Sequence, residues 1–310
     1  MIKELESKWI TGFWRRVGGL VIDGLLVGLV GLVLGLFFEE FFVQIGAWGR
    51  LFGFSMALIY FGVMNSSIAG GQTIGKKALK IRVVDSSNSL ISLEKSVLRY
   101  VILALPFFLN GAHFSNEVMF SFLKYPISLI IFGGLFSIFY LYVFNRKTRQ
   151  SLHDLVVGTY VVNINSEQLK PGKVWGLHSI MVSVLFLVAG IAPFFTTQLA
   201  ESEPFKGMMA AHSSLLEDPE VDRAGIFSGS STFMSSEGTR TATYVSGQVY
   251  LKANDIRDSE LARRLATLII TNYPEARQKD AVHIVLTYGF DIGIASKWSN
   301  FSYNFNPRDL

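Results

Sequence analysis

Residues 17–38 form an apolar run in which Asp23 is the single ionisable residue. At 1.5 Å per residue, a helix of this length crosses the roughly 30 Å hydrocarbon core of a bilayer. An aspartate near the centre of such a helix costs about 2.5–3.5 kcal/mol to insert, and less near an end. The run therefore predicts a membrane-spanning helix whose carboxylate is shielded by other parts of the protein.

Arg16 stands at the entrance of this run, seven residues before Asp23. Residues seven apart share a helix face but lie about 10 Å apart along the axis, which is too far for a direct ion pair. We therefore expect each side chain to meet a partner from elsewhere in the chain. Two alternatives stay open: Arg16 as a topology anchor that snorkels to headgroups, and Asp23 as a titrating or cation-binding carboxylate.

The composition is that of a polytopic membrane protein, because 50% of the 310 residues are hydrophobic and 17% are charged. The absence of cysteine excludes disulfides and thiolate metal sites. The apolar runs predict a membrane domain over residues 1–168, followed by a linker and a fifth transmembrane helix over 169–199. The four spans expected in the first part are about 17–38, 51–69, 98–113 and 124–144.

Basic residues are distributed unevenly between the loops. Lysine and arginine cluster in the N-terminal flank, in residues 76–99 and in residues 146–173, whereas the opposite loops carry only Arg50 and Lys124. The positive-inside rule then predicts a cytoplasmic N-terminus in a multi-pass plasma (inner) membrane protein. Five spans place the C-terminal domain on the extracytoplasmic, or periplasmic, side.

The C-terminal part differs in character. Residues 200–238 are rich in serine, glycine and glutamate and predict a flexible tether. Residues 239–310 contain alternating strand-like segments and an amphipathic helix over 258–272 with Ser259 as its cap, which predicts a small α+β domain. We expect an extracytoplasmic protein partner for this domain. The basic membrane part and the acidic tail do not suggest nucleic-acid binding.

Small residues line one face of the first span. Gly24, Gly28, Gly31 and Gly35 recur at spacings of four, three and four. This spacing allows close helix approach. It predicts helix packing through this face, within the chain or in a homo-oligomer. The lipid bilayer is the other expected partner.

Two short segments outside the spans predict a small cytoplasmic, β-hairpin-like sheet. Residues 158–164 and 78–84 are rich in branched residues, and we expect them to pair with each other. Asp154 would then lie near the inner membrane surface, within reach of Arg16, Arg99 or Arg149. The predicted fold class is thus an all-α polytopic membrane domain, with a four-helix core and a fifth helix, followed by an α+β domain.

Several separated motifs occur in order: Arg16, Asp23, the run Gly71-Gln72-Thr73-Ile74-Gly75-Lys76-Lys77, and the run Leu152-His153-Asp154-Leu155-Val156-Val157-Gly158-Thr159. Over about residues 8–165 this pattern resembles the RDD family of integral membrane proteins, which is named for one arginine and two aspartates. The resemblance implies a small helical membrane domain. It also implies sodium/proton exchange as a possible activity, which has been proposed for some members.

The sequence does not predict an enzyme. It contains no convincing Ser/His/Asp set and no His/Glu cluster with zinc spacing, so we expect no catalytic residues, metal or cofactor. One functional hypothesis is cation/proton transport, with Asp23 as carrier, Arg16 and Asp154 as inner gate, and Asn65 as a further oxygen ligand. His153 is expected at the interface, with a proton-relay role as the alternative. The other hypothesis is a non-catalytic membrane anchor that presents the C-terminal domain.

Overall fold

The computed structural model describes residues 9–164, 166–167, 172–203, 205–235 and 238–310. The chain divides into two compact units. The first contains the described residues up to Phe37, together with Ala47–Phe194 and Ile292–Ala295. The second contains Phe38–Gly46, Phe195–Asp291 and Ser296–Leu310.

Helices dominate the first unit. Their sequences are mostly Leu, Val, Ile and Phe with few charges, so intrahelical hydrogen bonds satisfy the backbone without water. A π-helical turn at Leu129–Gly133 interrupts one of them. The helices that begin in this unit are α1 (Phe13–Ile45), α2 (Gly49–Met64), α3 (Ile74–Ala78), α4 (Leu93–Asn110), α5 (Asn116–Phe120), α6 (Lys124–Phe144), α7 (Leu152–Val157) and α8 (Gly176–Glu201).

Among the described residues, three helical stretches are long and apolar enough to cross a membrane, judged by length and composition: Phe13–Met64, Lys124–Phe144 and Gly176–Glu201. The first stretch contains both α1 and α2, separated by a short turn at Gly46–Trp48. Helix α4, which corresponds to the expected third span, is not one of the three. These apolar helices agree with the membrane class that the composition predicts.

A kink at Phe38 divides helix α1. This residue is non-helical (φ −126°, ψ 27°) and stands where the predicted first span, 17–38, ends; the helix resumes after it and continues to Ile45. Glu39 and Glu40 lie in this continuation. Glutamate is a good helix former outside hydrocarbon, so charge alone does not terminate the element.

The two short strands of the first unit pair with each other. Strand β1 (Ile81–Asp85) and strand β2 (Thr159–Asn163) are antiparallel, with Ile81 opposite Asn163 and Asp85 opposite Thr159. The predicted pairing of these segments is confirmed, with slightly shorter strands. Trp9 is fully buried at this sheet, where it packs against Val84 and Val162.

The second unit is an α+β domain. Its sheet has the order β3-β4-β5-β6, in which β4 and β5 are parallel and the other neighbours are antiparallel. Two helices and the sheet share a fully buried aliphatic core that includes Leu215, Val245, Leu265, Ile269 and Ile284. The elements are α9 (Phe205–Leu216), β3 (Val221–Ser235), β4 (Gly238–Leu251), α10 (Ser259–Asn272), β5 (Ala281–Asp291) and β6 (Ser296–Phe305).

Two expectations about the C-terminal part were wrong. The supposed flexible tether, residues 200–238, contains the 15-residue strand β3. Strand β3 is ordered by hydrogen bonds to β4 along its length, which a serine- and glycine-rich composition does not reveal. The cap of α10 is also Asp258 and not Ser259, because the Asp258 carboxylate accepts hydrogen bonds from the backbone N–H groups of Glu260 and Leu261.

Candidate functional site

Asp154 is fully buried and binds groups from several segments. Arg99 of α4 donates to its Oδ1 from Nε at 3.0 Å and from Nη2 at 2.7 Å, and Arg16 of α1 donates to its Oδ2 at 2.6 Å. The hydroxyl of Thr159 donates to Oδ1 at 3.1 Å, and the backbone N–H of Ser151 donates to Oδ2 at 3.3 Å. One carboxylate on α7 thus ties α1, α4 and the start of β2 together.

Arg16 is held on other sides as well. A second guanidinium nitrogen donates to the backbone carbonyl of Arg149, and the guanidinium carbon lies 5.0 Å from the centre of the Tyr142 ring. Arg149 has φ 55°, an uncommon conformation for a residue with a side chain. Arg149 therefore contributes its backbone, and its guanidinium is not among the described partners of Asp154.

The electrostatics of this cluster fix its charge state at neutral pH. Burial alone would raise the pKa of Asp154, but the charges of Arg99 and Arg16 outweigh burial and hold the pKa well below its usual range. Burial lowers the pKa of His153 to about 3; the Asp154 charge opposes this shift and the Arg99 charge adds to it. The carboxylate is therefore charged and the imidazole neutral.

Asp23 is also fully buried, but its partners are neutral. The Tyr60 hydroxyl and the Gly75 backbone N–H each donate to Oδ1 at 2.8 Å, and the Thr73 hydroxyl donates to Oδ2 at 2.5 Å. Within the described part of the chain, no lysine, arginine or histidine nitrogen lies within 4.0 Å of this carboxylate. The two family aspartates therefore have opposite environments, one paired with cations and one held by hydrogen bonds alone.

The glycine-rich segment between α2 and β1 contacts Asp23. Thr73 caps α3 and accepts the backbone N–H of Lys76 while donating to the carboxylate. A Cβ on Gly75 would lie 2.2 Å from the carbonyl oxygen of Gly19, so only glycine allows α3 to approach α1 this closely.

The start of the same segment is fixed to strand β1. Gly71 has φ +72°, and a Cβ there would lie 2.6 Å from the carbonyl oxygen of Val83. Its own carbonyl accepts the backbone N–H of Val83, and the Gln72 side chain donates to the carbonyl of Ile81. The sequence motif thus has a structural role, because it connects the small sheet to the buried Asp23.

Lys76 is partly buried next to these groups. Its ammonium lies 3.4 Å from the Thr73 hydroxyl, and no carboxylate in the described residues is within 4.0 Å of it. Burial, followed by the charge of Arg99, lowers its pKa to about 7. A lysine with this pKa is partly neutral near physiological pH.

Two further residues predicted for the site are His153, which lies close to Asp154, and Asn65, which hydrogen-bonds elsewhere. The His153 Nε2 lies 3.5 Å from Asp154 Oδ2, and its Nδ1 has no hydrogen-bond partner in the described part of the chain. Asn65 donates to the backbone of Phe61, and its Oδ1 is likewise without a described partner. Asn65 makes no described hydrogen bond to Asp23, and its role as an oxygen ligand for a cation stays a prediction.

The glycines on one face of α1 differ in which atoms lie next to them. A Cβ on Gly31 would lie 2.8 Å from the Ala295 side chain, and a Cβ on Gly28 would lie 3.4 Å from the carbonyl of Ile294, within the same unit. A Cβ on Gly24 would meet nothing within 4 Å. Part of this face is thus used inside the chain, and association of copies through it stays a prediction.

Sequence reasoning missed two of the side chains that hold the aspartates. Tyr60 lies in the second apolar run, where a hydroxyl needs a hydrogen-bond partner, and that need is a signal that could have paired it with Asp23. Thr159 ends one of the quoted motifs, but its strand-like setting gave no sign that its hydroxyl binds Asp154. Among the described residues, no group of three or more His, Asp or Glu side chains is placed to hold a metal ion.

Apolar helices joined by buried, internally paired charges define an integral membrane protein. The family model for the RDD family matches residues 10–158, a range that includes Arg16, Asp23 and Asp154. This part of the chain belongs to the RDD family, and the chain carries an additional C-terminal region beyond the match. A comparison with curated proteins finds no match.

Proposed function

We propose that the protein is a non-catalytic membrane anchor that holds its α+β domain at the extracytoplasmic surface for a protein partner. The observation that carries this proposal is the saturation of Asp154. Two guanidinium groups, a hydroxyl and a backbone N–H bind its two oxygens, and the residue is fully buried. A carboxylate bound in this way joins helices and has no free position for a transported ion.

The energetics of a buried ion cluster favour the same interpretation. Removing one partner of a buried pair costs about 3–5 kcal/mol, because the other charge is left without compensation. A transport cycle that opened this cluster would have to offset that cost in each turnover. If the ion cluster of Asp154, Arg16 and Arg99 instead stays closed, the membrane domain is a rigid base for the C-terminal domain.

The C-terminal unit supports the role of a presented domain. It has its own aliphatic core, built from two helices and a four-stranded sheet. A domain with its own core keeps its shape when it is tethered to a membrane. Its extracytoplasmic position rests on the asymmetry of basic residues between the loops, which favours a cytoplasmic N-terminus.

A complementation experiment separates the role of the membrane domain from that of the C-terminal domain. In a deletion strain, we compare the full chain, a chain ending at Glu203, the full-length variant Leu265→Asp and Asp23→Asn. Leu265 is fully buried in the C-terminal core, so a carboxylate there unfolds that domain without shortening the chain. The anchor role predicts that truncation and Leu265→Asp both lose function while the chains stay in the membrane. Full function of the truncated chain would refute it.

Sodium/proton exchange is the second candidate, and one observation favours it. The buried carboxylate of Asp23 has no cationic partner within 4.0 Å in the described residues, so proton uptake would not break an ion pair there. Asp23 would be the carrier, with Arg16 and Asp154 as an inner gate. Tyr60 and Thr73 would supply oxygen atoms to a cation after reorienting their hydroxyl hydrogens.

Proteoliposomes test this second candidate directly. The chain is reconstituted with a pH-sensitive dye inside the vesicles, and a sodium gradient is applied across the membrane. Exchange predicts a proton flux that the isosteric variant Asp23→Asn abolishes and that Asp85→Asn, at the half-buried end of β1, leaves unchanged. A flux that is the same in wild type and Asp23→Asn would exclude Asp23 as the carrier.

A further inference from the structure

A large apolar cavity, open on part of its boundary, lies in the first unit. Its volume is about 650 Å³, and helices α1, α2, α4 and α6 all contribute to its wall. The lining is aliphatic and aromatic, and small residues on three helices leave the space open: Gly24, Ala57 and Ala104. The volume lies within the range of about 300–1,000 Å³ that is usual for ligand pockets.

A small polar chamber of about 50 Å³ adjoins this cavity, because Leu20, Phe61, Tyr100, Leu103 and Tyr142 line both spaces. In the described part of the chain, its wall carries three cationic side chains and no carboxylate. The cations are Arg16, Lys76 and Arg99.

These three cations are not equally compensated. Arg16 and Arg99 share the single charge of Asp154, whereas the polar side-chain partner described for Lys76 is the neutral Thr73 hydroxyl at 3.4 Å. The chamber therefore has a positive wall, which is complementary to an anionic group.

Two further atoms of the chamber wall lack partners. Asn65 and His153 are each 2% exposed, and the Asn65 Oδ1 and the His153 Nδ1 have no hydrogen-bond partner among the described residues. Buried polar atoms are nearly always hydrogen-bonded in proteins, so a group bound in the chamber would supply a partner that these atoms lack. A carboxyl group suits this wall, because as a carboxylate it accepts from the Lys76 ammonium and as the acid it donates to the Asn65 Oδ1.

The large cavity suits an apolar group and the small chamber suits a polar one. A molecule that occupies both must therefore have one part of each kind. An apolar cavity is unfavourable for water, and an empty one loses dispersion contacts along its wall. A hydrocarbon chain fills it well. The chamber has room for at least one water-sized polar group, which matches a carboxyl group.

We propose that the first unit binds one long-chain fatty acid, with its hydrocarbon tail in the apolar cavity and its carboxyl group in the polar chamber beside Lys76. The carboxylate accepts hydrogen bonds from the Lys76 ammonium. In its acid form, the carboxyl O–H donates to the Asn65 Oδ1. The site is distinct from Asp23 and Asp154, which do not line either space.

Binding of tritiated palmitic acid to the purified full-length chain in phosphatidylcholine nanodiscs tests this proposal, with hexadecanol as the matched uncharged probe. We expect saturable binding of one palmitate per chain and at least tenfold weaker binding of hexadecanol. Equal binding of the two probes, or palmitate uptake that does not saturate, overturns the proposal. So does a co-purified phospholipid, seen by native mass spectrometry, that palmitate does not displace.

Two pairs of variants locate the site. Gly24→Phe fills the cavity and should weaken palmitate binding at least tenfold, whereas Gly24→Ala adds one methyl group in open space and should not. Lys76→Gln should remove the preference for palmitate over hexadecanol, whereas Lys77→Gln, on an exposed neighbour, should keep it. Unchanged binding in Gly24→Phe or an unchanged preference in Lys76→Gln overturns the proposal. If Gly24→Phe does not fold, the lysine pair still decides.

Discussion

Arg99 donates two hydrogen bonds to the same oxygen of Asp154, from Nε at 3.0 Å and from Nη2 at 2.7 Å. The other oxygen of that carboxylate binds Arg16. Each oxygen therefore has its own guanidinium, and the two arginines come from different helices. Charge-assisted hydrogen bonds of this kind are about twice as strong as neutral ones. The carboxylate of Asp154 thus joins the two helices that carry Arg16 and Arg99.

Gly75→Ala should destabilise the protein through a steric clash. The added methyl group would lie 2.2 Å from the carbonyl oxygen of Gly19, so α3 must move away from α1 and from Asp23. Overpacking of this type costs about 1–3 kcal/mol. Thermal unfolding in detergent should show a lower Tm for Gly75→Ala. Gly12→Ala is the matched control, because a Cβ at Gly12 meets nothing within 4 Å; equal Tm values for the two variants would contradict the account.

The sequence was sufficient to predict that the charges of the first unit find partners from distant segments. It also predicted the pairing of the two short strands, because branched residues bounded by turns favour strands. It could not show which partner each aspartate takes. Tyr60 and Arg99 lie on helices whose rotation is set by packing, and sequence alone does not give that rotation.

His153 should make the stability of the protein depend on pH. Its folded pKa of about 3 lies below the ordinary 6.5, so the unfolded chain takes up a proton first as the pH falls. Stability is therefore lost below pH 6.5, by about 2 kcal/mol at pH 5. Asp154, whose pKa is depressed, adds to the loss only at lower pH, below about 4.

The contribution of His153 is measured by comparing variants. The variant His153→Gln should show a smaller drop in Tm between pH 7 and pH 5 than the wild type. His113→Gln replaces an exposed histidine and should keep the wild-type dependence. An unchanged pH dependence in His153→Gln would mean that its imidazole is not held neutral in the folded protein.

Tyr60→Phe removes one hydrogen bond to Asp23 and also leaves the backbone N–H of Ile74 without the hydroxyl that accepts it. Asp23 is fully buried, and the loss of a hydrogen bond to a buried carboxylate costs about 1–3 kcal/mol, so the free energy of unfolding should fall by that amount. The double variant Tyr60→Phe/Asp23→Asn tests whether the effect acts through the carboxylate. Additive losses would show that Tyr60 and Asp23 are not coupled.

The C-terminal region was harder to predict for a physical reason. Residues 221–235 have few large apolar side chains, so periodicity does not mark them as a strand, and their order comes from pairing with β4. The helix over 258–272 was predicted because its apolar residues recur at helical spacing. Its cap was misassigned because Asp258 and Ser259 are adjacent and both are good capping residues.

The corrected cap makes a simple prediction. Asp258→Ala should lower the stability of the C-terminal domain by about 1 kcal/mol, since two backbone N–H groups of α10 lose their acceptor. Ser259→Ala should be close to neutral. Hydrogen exchange of the first turn of α10 measures both effects in the full chain. A larger effect for Ser259→Ala would restore the original assignment.

The account depends most on Asp154 as the centre of a stabilising ion cluster, and a double-mutant cycle tests it most directly. The free energy of unfolding is measured in one detergent for the wild type, Arg99→Met, Asp154→Leu and the double variant. We predict that Asp154→Leu costs about 3–5 kcal/mol and that the double variant costs at least about 2 kcal/mol less than the sum of the single variants. Losses that add to within about 0.5 kcal/mol would contradict the account.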